Sequence, residues 1–374
     1  MSFLIGCIVI ITLFEIGFIC LNLSQNNNSK KSKWDKSDDR IKKSAIAYIV
    51  TFIILISIYN ISLFVKSLDH EVWSGTILSV NHEEEWEEWI EPEYETNDKG
   101  KEVLVRDGYY KHHDAYNEIK TSDNGTYQVT YSPDRSVRLN DGYPNTTDEL
   151  AQIWKVGEPT ASVHSYKNKV QASNSLFKPI EGVSEDDYEL FDYPDKVEEN
   201  KTITRILGDV PNKDEAIRNL NKWNSYLNKT IENDEGKKVS YKQVNLIFVN
   251  LKGYPISAAY ALQNKWEKGN KNDYIVTFNL NDEGIVEWFH PITWSEVEHL
   301  NYDLQDYFAK TKITDFNTVV DDVAKMVESD FTRKEFADFE YLQIEIGTGT
   351  KVILSIIVCA FIAFLIALYL GLID

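Results

Sequence analysis

The sequence predicts an α/β protein that three apolar helices hold in a membrane. Phe3–Leu23, Ser44–Val65 and Val352–Leu372 are apolar runs, and the long stretch between the last two contains no other run of membrane length. Residues 181–350 alternate between helical and strand patterns, which predicts a three-layer α/β sandwich with a mixed sheet. The expected segments are a hairpin of membrane helices (1–66), a β-rich acidic region (67–180), the α/β domain (181–350) and a C-terminal membrane helix (351–374).

The apolar runs are long enough to cross a bilayer. Each contains 21 or 22 residues. At about 1.5 Å per residue, a helix of that length covers the roughly 30 Å hydrocarbon core. No Lys or Arg precedes the first run, and Cys20–Ser24 is not a small-x-small cleavage site, so we expect a retained helix rather than a cleaved signal peptide.

The loop between the first two helices predicts the orientation. Residues 25–43 carry a net charge of +4, and short basic loops stay on the cytoplasmic side of a membrane. We therefore expect a multi-pass protein of the cytoplasmic (inner) membrane. The loop and the C-terminus lie inside, and the N-terminus and the large domain lie outside.

Charge and cysteine content limit the partners of the large domain. The net charge of the chain is −20. Outside residues 67–350, the loop contributes +4 and the remaining charged residues cancel, so residues 67–350 have a net charge of −24. Such a domain repels nucleic acid and anionic headgroups, so we expect no nucleic-acid partner, and cations or basic protein surfaces instead. Cys7, Cys20 and Cys359 all lie in the predicted membrane helices, which leaves the large domain without a disulfide.

The β-rich region combines strand patterns with an acidic and aromatic run. Residues 82–95 are dominated by Glu and Trp, and the turn signal Asp123–Gly125 precedes an alternating segment. The predicted elements are strands at Val72–Val80, Glu102–Tyr116 and Tyr127–Tyr131, and a short capped helix that opens at Thr147 and ends at Gly157.

The α/β half alternates helices with apolar strands. Continuous apolar runs of strand length are typical of central strands, and Asn281–Gly284 is a turn signal between two of them. The predicted elements are a helix after Pro211, a buried strand at Val244–Val249, a helix from Pro255 to Gly269, a buried strand at Tyr274–Phe278, an antiparallel strand at Ile285–Phe289 and a helix from Thr314 or Asp315 to Phe331.

Three segments of this half, Gly269–Phe278, Asp282–Trp288 and Phe331–Leu342, carry a family resemblance. They resemble a family of uncharacterised membrane proteins of tailed phages and bacteria, whose outer domain is similar to the TPM-domain family. The resemblance covers most of residues 70–372. It implies a TPM-like α/β fold and an extracytoplasmic domain, and it implies no established activity.

The segment before the last helix holds the most specific part of that resemblance. Arg333, Lys334, Phe336, Asp338 and Tyr341 match the family's signature. The spacing of the aromatic residues suits an amphipathic segment packed on the domain just before the membrane. We expect a structural role, in which Arg333 and Asp338 pair and fix the angle at which the domain meets the final helix.

Histidines of the acidic run are the candidate metal ligands. His82, His112, His113 and Asp114 combine imidazole with carboxylate, which suits Zn, Ni or Cu, and a hairpin would bring them together. No HExxH-like spacing fixes the ligands. The alternative is that these histidines are solvated among acids, so a divalent cation is a possible cofactor rather than a required one.

Acids of the α/β half are the other candidate site. Asp273, Asp282, Glu283 and Asp338 suit calcium or a hydrolase with paired acids, because ligands of open α/β sheets bind outside the carboxyl ends of the strands. The alternative is that Asp282 and Glu283 are hairpin residues and that Asp273 begins a strand.

Glu15 lies near the middle of the first membrane helix. A carboxylate in a bilayer costs several kcal/mol unless it is protonated or paired, so it is expected to face a neighbouring helix. Thr51 and Ser57 of the second helix lie at a suitable depth to hydrogen-bond it. The alternative is an ion or proton step, for which the sequence offers no second intramembrane charge.

These observations favour a non-enzymatic function. We expect a binding or scaffolding protein displayed outside the membrane, with other proteins as partners. The sequence contains no G-x-S-x-G, P-loop or Gly-rich dinucleotide turn. The alternative is a metal-dependent hydrolase, phosphatase-like, that uses the carboxylates of the α/β domain.

Overall fold

The chain combines helices and strands, in agreement with the predicted α/β class. The computed structural model describes residues 2–26, 32–129, 146–168, 170–198, 201–334, 338 and 344–373. The α-helices are α1 (Ser2–Asn26), α2 (Ser32–Ser67), α3 (Thr147–Ile153), α4 (Ser173–Leu176), α5 (Lys213–Leu227), α6 (Ser257–Lys265), α7 (Glu298–Lys310), α8 (Phe316–Asp330) and α9 (Thr348–Leu370). The strands are β1 (Leu68–Glu83), β2 (Trp86–Ile90), β3 (Glu93–Thr96), β4 (Glu102–Arg106), β5 (Tyr109–His113), β6 (Tyr116–Thr121), β7 (Gly125–Val129), β8 (Pro159–Lys167), β9 (Ile206–Leu207), β10 (Thr230–Glu232), β11 (Lys238–Ser240), β12 (Asn245–Asn250), β13 (Asp273–Leu280) and β14 (Val286–Thr293).

The chain divides into two compact units. The first consists of Met1–Asp69, Tyr166–Leu176 and Glu335–Asp374, and the second of His70–Ser165 and Phe177–Lys334. In the first unit, α1, α2 and α9 pack around a shared apolar core that includes Ile11, Leu55 and Leu354. Among the described residues, these three helices are long and apolar enough to cross a membrane, as predicted.

Glu15 is buried in this helical unit, but its partner differs from the prediction. The Ser44 hydroxyl donates a hydrogen bond of 2.8 Å to Glu15 Oε1, whereas Thr51 and Ser57 were the expected donors. The prediction of a bond to the second helix is therefore confirmed and its residues are wrong. Because α2 extends to Ser32, more than two turns before the apolar run, Ser44 lies within the helix rather than at its start.

The second unit contains the predicted mixed sheet, in the order β14-β13-β12-β9. β12 is parallel to both β9 and β13, and β14 is antiparallel to β13. Both central strands are buried along their whole length, which explains their continuous apolar sequences. Gly284 shapes the β13–β14 turn because its φ is +78° and a Cβ there would lie 2.3 Å from the Ile313 carbonyl oxygen.

Helices cover both faces of this sheet and make three layers. On one face, α5, α7 and α8 pack against alternate strand residues such as Leu246 and Phe248. On the other face, α6 packs against the intervening residues, such as Ile247 and Val249. Asp315 caps α8 by accepting a hydrogen bond from the Asn317 amide, so one of the two predicted caps is confirmed.

The β-rich region forms a second four-stranded sheet, in the order β7-β6-β1-β8. The turn at Asp123–Gly125 joins β6 and β7 as predicted, and Ile77, Ile119, Leu150 and Trp154 form a small apolar core. The short helix α3 is capped by Thr146, whose hydroxyl accepts from the Glu149 amide, rather than by Thr147. It ends at Ile153, before the predicted Gly157, and Tyr131 lies outside the described residues.

Residues 84–115 form a two-stranded ribbon, which we call the acidic arm. β2 pairs with β5 and β3 pairs with β4, all antiparallel. The predicted single strand at Glu102–Tyr116 is therefore wrong: Asp107 and Gly108 separate β4 from β5, and β6 begins at Tyr116. At the tip, the Asn97 side-chain oxygen accepts hydrogen bonds from the amides of Lys99 and Lys101, which closes the turn.

Candidate functional site

Asp273 lies at the centre of a buried polar network at the start of β13. Its carboxylate accepts hydrogen bonds from Asn245 Nδ2 at 2.9 Å, from the Tyr193 hydroxyl at 2.8 Å and from the Asn270 amide at 2.7 Å. Burial nevertheless raises the pKa of Asp273 to about 7, because the three donors offset only part of the desolvation. Burial and the adjacent carboxylate also hold the pKa of Tyr193 well above its ordinary value.

Arg205 completes the same network from β9's N-terminal side. It is fully buried, and its guanidinium donates to Ser74 Oγ at 2.7 Å, Asn245 Oδ1 at 2.8 Å and Asn221 Oδ1 at 3.0 Å. Burial lowers the pKa of Arg205 to about 10, so it stays charged at neutral pH. Asn245 therefore links the arginine to Asp273, and the network fixes β1, β9, β12 and β13 at one edge.

This network is suited to stability rather than to catalysis. Asp273 is fully buried and its described donors occupy both carboxylate oxygens, so no substrate atom reaches it. Asp273 is among the residues predicted from the sequence, whereas Arg205 and Tyr193 are not, since a fully buried arginine is rare and Tyr193 lies in no recognised motif. No local sequence signal marks them, because the partners of Arg205 come from three separate elements.

Asp282 and Glu283 lie at the opposite, carboxyl edge of the sheet, beside a cavity of about 410 Å³. Asp209 and Lys252 also line this cavity, and the Lys252 ammonium lies 2.5 Å from Asp282 Oδ1. That ion pair lowers the pKa of Asp282. This crevice lies beyond the carboxyl end of β13, where ligands of open α/β sheets bind, and its use as a ligand site stays a prediction.

The predicted metal ligands are spread along the acidic arm and the strand that leads into it. His82 Nδ1 lies 2.7 Å from Asn117 Oδ1, and His113 Nε2 lies 2.9 Å from Glu88 Oε2. His112 Nε2 lies 3.3 Å from Asp114 Oδ1. The structure pairs His112 with Asp114 but brings neither His82 nor His113 to them in a three-ligand group, and the metal site stays a prediction.

One group of potential ligands occurs among the described residues. His299, Asp303 and Asp330 each offer an atom within 4.8 Å of the others, and all three are exposed. His299 and Asp303 are already paired at 3.0 Å across one turn of α7. Exposed groups of this kind are common without an ion, and these three residues are not among the ligands predicted from the sequence.

The signature residues divide between the described and the undescribed parts of the chain. Arg333 pairs with the buried Glu71 at 2.5 Å and also donates to Gln243 Oε1. Lys334 pairs with Glu296. Asp338 is exposed, and its predicted pairing with Arg333 stays a prediction. Phe336 and Tyr341 lie outside the described residues.

The acidic arm presents an exposed surface of mixed chemistry. It contains eleven carboxylates and four basic side chains, a net charge of −7. Indole rings are prominent: Trp86 stacks on His113 at 4.2 Å, and Trp89 contacts Tyr110 at 4.9 Å on the other face. Eight large apolar or aromatic side chains of the arm are exposed: Trp86, Trp89, Tyr94, Val103, Leu104, Val105, Tyr109 and Tyr110.

Comparison with known proteins adds no identity. No protein-family model, curated protein or solved structure matches the chain. The fold and the geometry of its surfaces therefore carry the functional argument alone.

Proposed function

We propose that the chain is a membrane-anchored binding protein. Its large domain, an α/β fold of TPM-like type, is displayed on the outer face of the cytoplasmic membrane. There the acidic arm captures a protein partner with a basic surface. The observation that carries this proposal is the arm itself, an acidic ribbon with eight exposed large apolar side chains.

Three features support the anchoring. Three apolar helices pack together. The net positive charge of residues 25–43 favours a cytoplasmic position for this segment. Arg40, which was predicted to lie in this loop and which the structure includes in α2, donates to the Tyr369 carbonyl in the last turn of α9 at 3.4 Å. A cation at a helix C-terminus is favourable, and the contact supports a topology in which the N-terminal part of α2 and the end of α9 share one side of the membrane.

The arm supports binding because its exposed surface has no structural use. A two-stranded ribbon has no core of its own, so the exposed apolar side chains of the arm gain little from folding. Contiguous exposed apolar surface rimmed by charge is typical of interaction sites, and aromatic residues are enriched at the centre of interfaces. The net charge of −7 selects a basic partner and repels acidic ones.

A metal-dependent hydrolase of phosphatase-like type is the second candidate. It is favoured by the cavity at the carboxyl edge of the sheet, where Asp209, Asp282 and Glu283 line one crevice. Hard divalent cations prefer such oxygen ligands. In this alternative the acidic arm recruits or positions a substrate, and the acids of the crevice hold the ion.

Photo-crosslinking from the arm tests the binding proposal. A photoreactive phenylalanine replaces Tyr110 in one variant of the full chain and Tyr302 in a matched control, expressed in the native host. The two tyrosines are 67% and 69% exposed, but Tyr302 lies on α7, away from the arm. We expect Tyr110 to crosslink to one discrete protein that the control does not capture.

Charge neutralisation then identifies the recognition chemistry. Replacing Glu87, Glu88 and Glu91 by Gln keeps the shape of the arm and removes three of its negative charges. The crosslinking yield should fall severalfold and depend less on salt, because steering between opposite charges is screened by ions. Equal crosslinking from both tyrosines, or a yield that neutralisation leaves unchanged, would contradict capture of a basic partner by the arm.

A further inference from the structure

A second cavity, of about 300 Å³, opens between the β-rich sheet and the small hairpin formed by β10 and β11. It is separate from the acidic arm and from the carboxyl-edge crevice. Its walls come from the start of β1, from the β6–β7 turn, from the hairpin and from Asn272. A cavity of this size is at the lower end of the range for small-molecule sites.

Asn272 brings an unsatisfied acceptor to this cavity. The residue is 1% exposed, and its Nδ2 donates to the Val72 carbonyl at 2.9 Å. No described residue donates to its Oδ1. A buried acceptor without a donor is costly to the fold, so Asn272 gives the cavity a polar wall that a polar ligand suits better than an apolar one.

Asp123 adds a carboxylate whose position is fixed. Thr160 Oγ1 donates to one of its oxygens at 2.5 Å, and Ser162 Oγ donates to the other at 2.6 Å. Each carboxylate oxygen can accept a second hydrogen bond. Asp123 therefore offers oriented acceptors at the wall of the cavity while its own geometry stays set by β8.

Gln243 supplies donors from the opposite side. Its backbone has φ +50°, a left-handed conformation that is unusual for a residue other than Gly, Asn or Asp. Strained backbone of this kind clusters at binding sites. Its side-chain oxygen is held by Arg333, and no acceptor for its amide nitrogen is found among the described residues.

The balance of charge and the presence of an indole define the ligand class. Lys238 is the single basic residue of the cavity and Asp123 its single acid, so neither an anion nor a polycation is favoured. Trp73 lines the wall and stacks on His164 at 4.1 Å. Alternating donors and acceptors next to an indole suit a ring with several hydroxyl groups and an apolar C–H face.

We propose that this cavity binds a neutral polyhydroxylated ligand, that is, a single sugar unit or a cyclic polyol. Hydroxyl groups of the ligand donate to Asp123, beside the polar Asn272, and accept from the Gln243 amide and from Lys238. The C–H face of the ring packs beside Trp73. The proposal does not depend on the partner of the acidic arm.

Saturation-transfer NMR on the full chain in lipid nanodiscs tests this inference. Nanodiscs are required because maltoside and glucoside detergents carry the same chemistry as the ligand. The probes are glucose, N-acetylglucosamine and myo-inositol, and inorganic phosphate and spermidine serve as charged comparisons. We expect at least one neutral probe to bind with a Kd of about 1 mM or tighter.

Two tryptophan variants on the same hairpin locate the site. Thr230→Trp places a large side chain at the cavity wall, and Asp234→Trp places it at the exposed tip of the hairpin as a control. Thr230→Trp should weaken binding at least about tenfold and the control should not. Lys238→Ala is a second, smaller change on an exposed residue, and it should weaken binding a few-fold without affecting folding.

Three results would overturn the proposal. Absence of binding by all three neutral probes at about ten times the expected Kd would exclude the ligand class. Binding that is unchanged in both Thr230→Trp and Lys238→Ala would place the site elsewhere. Binding of phosphate or spermidine alone would show that the cavity recognises charge rather than hydroxyl groups.

Discussion

Asp273 should make the stability of the second unit fall as the pH rises from about 4 to about 7. Burial raises its pKa from 3.8 to about 7 in the folded chain. Below pH 3.8 the carboxyl is protonated in both folded and unfolded chains, so it contributes no difference. Between the two pKa values the unfolded chain ionises and the folded chain does not, which favours unfolding increasingly; above pH 7 both are ionised and the effect is constant.

The size of this effect follows from the shift. A change of about 3 pH units at 1.36 kcal/mol per unit gives about 4 kcal/mol of unfolding free energy. The free energy of unfolding of a typical domain is roughly 5–15 kcal/mol, so this contribution is a large part of it. The pH dependence that Asp273 gives to the free energy of unfolding is therefore opposite in sign to that of acids such as Asp282, whose pKa is lowered by an ion pair.

Urea unfolding of Asp273→Asn measures this contribution. Eight of the nine tryptophans belong to the second unit, so their fluorescence reports its unfolding in the full chain held in nanodiscs. The free energy of unfolding of the variant, relative to the unaltered chain, should rise by about 4 kcal/mol between pH 4 and pH 7 and then stay level. The matched control, Asp282→Asn, should show no such rise. A difference for Asp273→Asn that is constant from pH 4 to pH 8 would refute the reasoning.

Three further predictions concern topology, the helical bundle and the polar network. In a chain without native cysteines, Glu235→Cys should react with a membrane-impermeant maleimide in intact cells, and Asp38→Cys only after permeabilisation; the reverse pattern would invert the topology. Glu15→Gln should keep the thermal midpoint of the helical signal because Ser44 can donate to an amide oxygen, whereas Ser44→Ala should lower it; a loss with Glu15→Gln would show that a carboxyl proton is needed. Arg205→Met should reduce the free energy of unfolding by about 3–5 kcal/mol, since it strands buried acceptors, and a smaller loss in urea titration would show that solvent enters the network.

The elements that the sequence predicted well share one property, a local pattern with a single structural solution. β12 and β13 are continuous apolar runs that only central strands accommodate, and the Asn281–Gly284 turn needs the positive φ of Gly284. The three apolar helices follow from length and composition alone. For these elements the tertiary structure agrees with the local preference, so the pattern suffices.

The elements that were missed depend on contacts distant in sequence. The buried residues of α7 are Leu300, Leu304 and Phe308, and most of the other residues of this helix are polar. Its apolar stripe is therefore narrow, and its helical period in the sequence is weak. β9 has two residues and exists because β12 supplies its hydrogen bonds. Arg205 is buried only because three side chains from separate elements accept from it, which no local pattern encodes.

The positions of the predicted acids restrict the hydrolase alternative to one edge of the sheet. Asp273 begins β13 and Asp282 follows its end, so at about 3.3 Å per residue their Cα atoms lie more than about 20 Å apart. Ligands of one divalent cation lie within about 2.6 Å of it, so these two acids cannot share an ion. In the hydrolase alternative, the acids that line one crevice with Asp282 are Asp209 and Glu283, so the double variant Asp209→Asn, Glu283→Gln should abolish metal-dependent phosphatase activity at this site. Because both residues lie outside the acidic arm, that variant should leave crosslinking from Tyr110 unchanged. Loss of crosslinking without loss of hydrolysis would reverse the assignment of the two surfaces.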